Sequence, residues 1–205
     1  MKAKLEEILH QSSRLMAKKA YHGTSMRDLA CQTGHSVSGL YNYFKNKEEL
    51  LYLINYNGFS AITDTLNRTL ETMHGPQERL YALIYNHIHY FMAHRDEMKV
   101  MMMGTQEMAL EKSRVIREIK DKYTQTSQEI VREIYQAETG AAPDKKEISR
   151  KTFLLFGMMN WIFGWYSPKE HGDTEALIND VYTTFLHGLS GEKTSFPACA
   201  GLFKK

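Results

Sequence analysis

Apolar residues recur along this chain at i, i+3, i+4 and i+7, and runs that alternate apolar with polar are absent, so the pattern predicts helices nearly throughout. The first stripe is Leu5, Ile8, Leu9, Ser12, Leu15, Met16 and Lys19, which predicts a helix over residues 4–21 ended by His22 and Gly23. Ser25, with Asp28 three residues on, makes a capping-box start for a short helix whose Leu29 and Ala30 face inward and whose stop is Gly34. Ser36 caps a third helix reaching about residue 44, and Lys45-Asn46 turns the chain. Leu50, Leu51, Leu53, Ile54, Phe59, Ile62 and Leu66 then predict a helix over residues 47–73. Its length of roughly 40 Å is enough to join two domains.

His74, Gly75 and Pro76 stop that helix, and Pro76 suits the first turn of the next. Leu80, Leu83, Ile84, His87, Ile88 and Phe91 carry this fifth helix to about residue 95. A short helix over 96–108 holds Met98, Met101, Met102 and Met103. A long helix over 110–139 rests on Val115, Ile116, Ile119, Tyr123, Ile130 and Ile134, and Gly140 to Pro143 break it. Helices over 145–166 and 174–189 follow. Residues 192–205 show no period and read as a flexible tail. The fold class is therefore all-α.

Composition adds limits. The chain has 205 residues, 42% of them hydrophobic and 24% charged, an ordinary globular balance. No apolar run is long enough to span a membrane, and the charged start lacks the apolar stretch of a signal peptide. Two distant cysteines, Cys31 and Cys199, give neither a disulfide framework nor metal-ligand spacing; they fit a reducing, cytoplasmic setting. Cys31 reads as a small core filler. The net charge is +2, but up to Leu50 eight Lys or Arg stand against five Asp or Glu, so the positive excess lies in the first quarter. That is a mild footprint of the kind phosphate attracts.

Two short helices joined by a tight turn, the second opening with small polar residues, suit a reader of the major groove. Thr24, Ser25 and Arg27 sit at the start of the first, where helix N–H groups attract phosphate. Ser36, Val37, Ser38 and Gly39 sit at the start of the second. Gly39 is costly inside a helix and fits a close approach of backbone to DNA. Tyr41 and Tyr43 can reach phosphates or sugars, and Lys47 can neutralise another phosphate. Caps and core positions account for several of the same residues, Phe44 above all.

Tyr21-His22-Gly23-Thr24-Ser25-Met26-Arg27-Asp28-Leu29-Ala30, followed by Gly34-His35-Ser36-Val37-Ser38-Gly39-Leu40-Tyr41-Asn42-Tyr43-Phe44-Lys45-Asn46-Lys47-Glu48-Glu49-Leu50-Leu51, resembles the DNA-binding domain of the tetracycline-repressor family. The resemblance implies a homodimeric repressor. Residues 1–46 would be a three-helix helix-turn-helix domain and 47–191 a helical ligand-binding and dimerisation domain, before the tail at 192–205. By position it assigns phosphate contacts to Thr24, Ser25, Arg27, Tyr41 and Lys47, and base edges to Ser36, Val37, Ser38, Gly39 and Tyr43. One departure is Ala20, where many members have Gly.

The second half is less specific. Asn160 is a polar residue inside the apolar run from Phe153 to Pro168, so its amide needs a ligand, a neighbouring helix or a dimer mate. Trp161 and Trp165 are spaced i, i+4, and Gly157 and Gly164 leave room beside the helix. Asn160-Trp161, Trp165-Tyr166 and Pro168 resemble family members that answer to acyl-CoA thioesters. Phe156, Asn160, Trp161 and Trp165 are candidate ligand contacts, although an aromatic stripe there is more often dimer interface or core, and the flexible Met102 and Met103 suit a pocket for apolar ligands or an ordinary core. Arg114, Arg117 and Lys120 read as a CoA-phosphate contact or as a solvated face. His87, His89 and His94 do not share a helix side and lack completing ligands, so no metal is expected. No cofactor motif and no nucleophile–base pair is found, and the chain is not expected to be an enzyme. The partners expected are operator DNA, a second copy of the chain and a small lipophilic or acyl-CoA-type effector, with no membrane. Three other readings stay open. They are a regulator of efflux or stress genes answering to drug-like ligands, a helical ligand-binding module without DNA function, and a small helical enzyme acting on an acyl-CoA.

Overall fold

A computed structural model describes residues 2–190; the expected tail and Cys199 lie outside the described residues. Those residues form helices and turns, with no strand among them. Helix α1 spans Lys2–Lys19, α2 Met26–Thr33, α3 Val37–Leu40, α4 Lys47–Leu70, α5 Pro76–Ala93 and α6 Arg95–Met102. They are followed by α7 Leu110–Thr139, α8 Lys145–Asn160, α9 Ile162–Trp165, α10 Pro168–His171 and α11 Thr174–Ser190.

Two apolar clusters organise these elements. The first gathers Ile8, Leu9 and Met16 of α1 with Leu29, Leu40, Phe44 and the α4 residues Leu50, Leu51 and Ile54. Val100, Met108 and Ile116 close it from the other side. The second is built on Ile62, Leu66 and Leu70 of α4 and on the buried faces of α5, α7, α8 and α11. Helix α4 thus runs through both, and each fully buried Leu or Ile on it is worth about 1.5–3 kcal/mol. Phe59 packs against both clusters. One residue earlier, a Cβ at Gly58 would lie 2.4 Å from Met101 Sδ, so with glycine there the Met101 side chain packs directly on the α4 backbone.

Local chemistry explains the boundaries. Ser25 and Asp28 form the reciprocal capping box, and Gly34 ends α2 at φ 67°. The Ser36 hydroxyl accepts from Gly39 N–H. Helix α1 stops at Lys19, two residues before the expected end, because Ala20 turns left-handed at φ 59°. Lys19, expected on the buried stripe, is exposed, whereas Ser13 is buried and donates to Leu9 O. Helix α3 ends at Leu40, not near residue 44, because Asn42 and Tyr43 N–H turn back three residues, to Gly39 and Leu40 O. Helices α4 and α6 end three and six residues short of expectation, in comparable turns.

The helix expected over 145–166 is broken at Trp161. Arg95 at the start of α6 donates to the carbonyls of Phe163 and Tyr166, both at 3.1 Å, and so holds the chain after the break. Ser167 before Pro168 is extended, as the proline ring requires. Cys31 is exposed, which corrects its reading as core.

Ala20 carries a strain that its type does not relieve. A left-handed L-residue costs about 1–2 kcal/mol, and glycine gives back about 0.5–1 kcal/mol of that through unfolded-chain entropy. Ala20→Gly is expected to raise unfolding stability by about 0.5–1 kcal/mol in urea titration; unchanged or lower stability would show that the turn bears no strain.

Candidate nucleic-acid interface and ligand cavity

The α2–α3 unit is fixed from beneath by two residues. Thr24 is only 1% exposed. Its hydroxyl donates to Ala20 O at 2.8 Å and its N–H to Tyr21 O at 3.2 Å. Lys47 reaches back from the start of α4 and donates to Tyr21 O at 2.8 Å and Thr24 O at 2.9 Å. Its ammonium also lies 4.2 Å from the centroid of the Tyr21 ring. Both residues had been expected to face phosphate directly. Thr24 has no free surface for it, and Lys47 has two of its three N–H bonds committed to the loop.

The outer face belongs to others. Ser25, Arg27, Ser36, Ser38 and Tyr41 are exposed, whereas Val37, Gly39 and Tyr43 are half-buried. Asp28, a carboxylate on this face, is held well below the usual carboxylate range by the Ser25 hydroxyl and then by Lys19, whose ammonium lies 2.9 Å away. That pairing offsets a charge that would repel phosphate. A Cβ at Gly39 would come within 3.1 Å of Ser36 Oγ, so this glycine makes room for the cap whatever else approaches it. His35 was not singled out from the sequence. It donates from Nδ1 to Thr33 O and meets Tyr43 edge to face at 5.9 Å, fixing the orientation of that ring.

The second site is a cavity of about 190 Å³ within the second cluster. Phe59 and Ile62 line it from α4, His87 and Phe91 from α5, and Met98, Met101 and Met102 from α6. Lys120, Tyr123 and Thr124 of α7 and Phe153, Phe156 and Asn160 of α8 complete it. Of the expected contacts, Met102, Phe156 and Asn160 are there. Met103, Trp161 and Trp165 are not. The break at Trp161 ends the i, i+4 relation and leaves Trp161 67% and Trp165 47% exposed. Trp165 packs edge to face on His171 instead. The sequence clue to the rest was His87, a lone imidazole at a buried position of the α5 stripe.

His87 is the centre of a polar chain. Burial pushes its pKa down to about 4, so it is neutral near pH 7. Its Nε2 lies 3.1 Å from Asn160 Oδ1, which only accepts, so Nε2 carries the hydrogen. Nδ1 then accepts from the Tyr123 hydroxyl at 3.0 Å. The imidazole also stacks on Phe91, with centroids 4.3 Å apart. A neighbouring helix thus supplies the partner for the Asn160 carbonyl, while its amide N–H₂ remains available at the cavity wall. Among the described residues no group of three or more His, Cys, Asp or Glu could hold a metal ion. His89 pairs with Glu175 and His94 stacks on Tyr90. No described helix is long and apolar enough to cross a membrane.

Comparison with known proteins gives these sites a context. Residues 8–52 match the family model described as bacterial regulatory proteins, tetR family, and residues 73–189 match the tetracyclin repressor-like C-terminal domain. A fatty acid metabolism regulator protein of Bacillus subtilis is 21% identical over 187 residues, covering 91% of this chain and 95% of its own. Among solved structures, a TetR-family transcriptional regulator from Bordetella parapertussis superposes with a TM-score of 0.83 at 20% identity, covering 93% of this chain and 98% of the other. AibR, solved with isovaleryl coenzyme A and operator DNA, gives a TM-score of 0.76 at 24% identity, covering 88% of this chain and 97% of its own. At these identities the superpositions establish the fold alone.

The His87 burial has a measurable consequence. The unfolded imidazole takes a proton near pH 6.5 and the folded one only near pH 4. Stability is therefore full above pH 6.5 and falls as pH drops toward 4, by roughly 3 kcal/mol at most. Urea unfolding of the parent and of His87→Gln across pH 4–7 is expected to differ by that slope; parallel curves would show that His87 does not supply it.

Proposed function

The chain belongs to the tetR family of bacterial regulatory proteins and is a DNA-binding transcriptional regulator, and we propose that it is a repressor released from a palindromic operator by a small lipophilic effector held in the cavity. The observation that carries this reading is the placement of α6. Met98 and Met101 line the cavity, while Val100 between them is buried in the helix-turn-helix cluster. A ligand that displaces the methionines moves an element on which the DNA-binding head rests.

Within this reading Ser25, Arg27 and Tyr41 grip phosphate, Ser36, Val37, Ser38, Gly39 and Tyr43 lie toward base edges, and Thr24 and Lys47 hold the pair at its angle. Dimerisation through α8 and α11 would set two recognition helices about 34 Å apart on one face of DNA. Exposed Leu154 supports that interface, beside Met158 and Phe185 in a groove between the two helices. An acyl-CoA-type effector is the finer reading, in keeping with the AibR complex and the Bacillus relative.

Gel shift on DNA upstream of its own gene is the direct test. Salt-sensitive, sequence-dependent binding is expected. Arg27→Ala is expected to weaken binding about tenfold on every sequence and to lower the salt slope by about one, whereas substitution at Ser38 or Tyr43 shifts sequence preference. Binding without sequence dependence under all conditions overturns the reading.

A further inference from the structure

We propose that the cavity takes a small lipophilic carboxylate whose charge is read by Lys120, the ammonium leaving the face of Phe59 to meet it. This rests on the effector-responsive reading above and takes a free carboxylate in place of the acyl-CoA thioester as the ligand. Lys120, Tyr123 and Thr124 stand at i, i+3 and i+4 on α7 and line one wall. The Lys120 ammonium lies 4.5 Å from the centroid of Phe59. None of the ion pairs among the described residues includes it. A ring face is a weaker partner for an ammonium than a carboxylate oxygen. Burial also lowers the pKa of Lys120, as expected of a cation short of solvation.

The rest of the lining narrows the ligand. No Asp or Glu faces the cavity. The Asn160 amide N–H₂ is a second free donor, since the Asn160 carbonyl is taken by His87. A wall with a cation and an amide donor but no acid selects an anionic, acceptor-rich head. Phe91, Phe156 and Met98 offer the apolar body its surface. The cavity of about 190 Å³ has room for a short acyl chain. A thioester would present Lys120 with a neutral carbonyl, and a free acid presents it with charge. The signal follows from the partner given up: Phe59 lies on α4, packs against both clusters and adjoins the Gly58 crossing.

The full chain is titrated calorimetrically with hexanoate, hexanamide and hexanoyl-CoA, with DNA release read in parallel. Hexanoate is expected to bind at least about tenfold more tightly than hexanamide. Lys120→Met is expected to bind hexanoate and hexanamide alike, with hexanamide affinity within about twofold of the parent. Phe59→Leu is expected to keep hexanoate binding while releasing DNA less readily. The preference for hexanoate falls as pH rises through the Lys120 pKa, which lies below 10.5. The other titratable groups on the wall stay neutral there, His87 being pushed down to about 4 and Tyr123 raised above 10.0. Equal binding of hexanoate and hexanamide by the parent overturns the assignment. So does a preference that survives Lys120→Met, binding confined to hexanoyl-CoA, or no binding at all. Failure of the effector-responsive reading itself shows separately, as hexanoate binding that leaves sequence-dependent DNA binding unchanged.

Discussion

A methionine sulfur occupies the space where residue 58 would carry a side chain, and through that contact the cavity wall meets the helix that runs through both clusters. A Cβ at Gly58 would overlap Met101 Sδ at 2.4 Å, so the Met101 side chain packs directly on the α4 backbone at this point. Met101 is fully buried and lines the cavity, and its neighbour Val100 is fully buried in the helix-turn-helix cluster. Helix α6 is therefore a thin partition with the cavity on one side and the head on the other. Polar ties reinforce it. His10 of α1 lies 2.6 Å from Glu97 of α6, and Glu48 at the start of α4 accepts from Ala109 N–H and Lys112 just before and within α7.

The head is stiff by comparison with that partition. Its cluster is small, but the loop between α1 and α2 is clamped by Lys47 and Thr24, and each short helix has a side-chain cap. A recognition helix of four residues cannot sustain itself by backbone hydrogen bonds alone. Its orientation is borrowed from Leu40 and Phe44 in the core beneath and from the His35–Tyr43 contact beside it. Displacement of α6 therefore tilts the head as a piece more readily than it bends α3.

What the sequence made legible follows the range of the interaction. The Ser25–Asp28 box, the Ser36 cap and the Gly34 stop each involve side chain and backbone within a few residues, so their spacing alone reveals them. The all-helical class and the stripes of α4, α5 and α7 were equally plain, because burial repeats with the helix period. The break at Trp161 was hidden, since it depends on Arg95, about seventy residues earlier in the chain, holding the carbonyls of Phe163 and Tyr166. Reading through that break put both tryptophans on a cavity they do not line. The loop contacts of Lys47 were hidden for a related reason: a lysine at a helix start looks solvated until a loop 23 and 26 residues upstream folds under it. Cys31 had only its type to suggest burial, and the short α2 turns that position outward.

Effector control needs one state of the protein to bind the ligand better than the other, and tight binding to both would shift nothing. On the proposed reading the cavity would divide that task between two kinds of wall. The chain from Tyr123 through His87 to Asn160 is fully oriented, with each hydrogen assigned by its neighbour, and it has little reason to differ between states. The methionines of α6 are unbranched and adaptable, and their positions define the partition against the head. A hundredfold loss of DNA affinity requires about 2.7 kcal/mol of differential binding. On the proposed reading the apolar contacts of Met98 and Met101 and the partner exchanged by Lys120 would supply it.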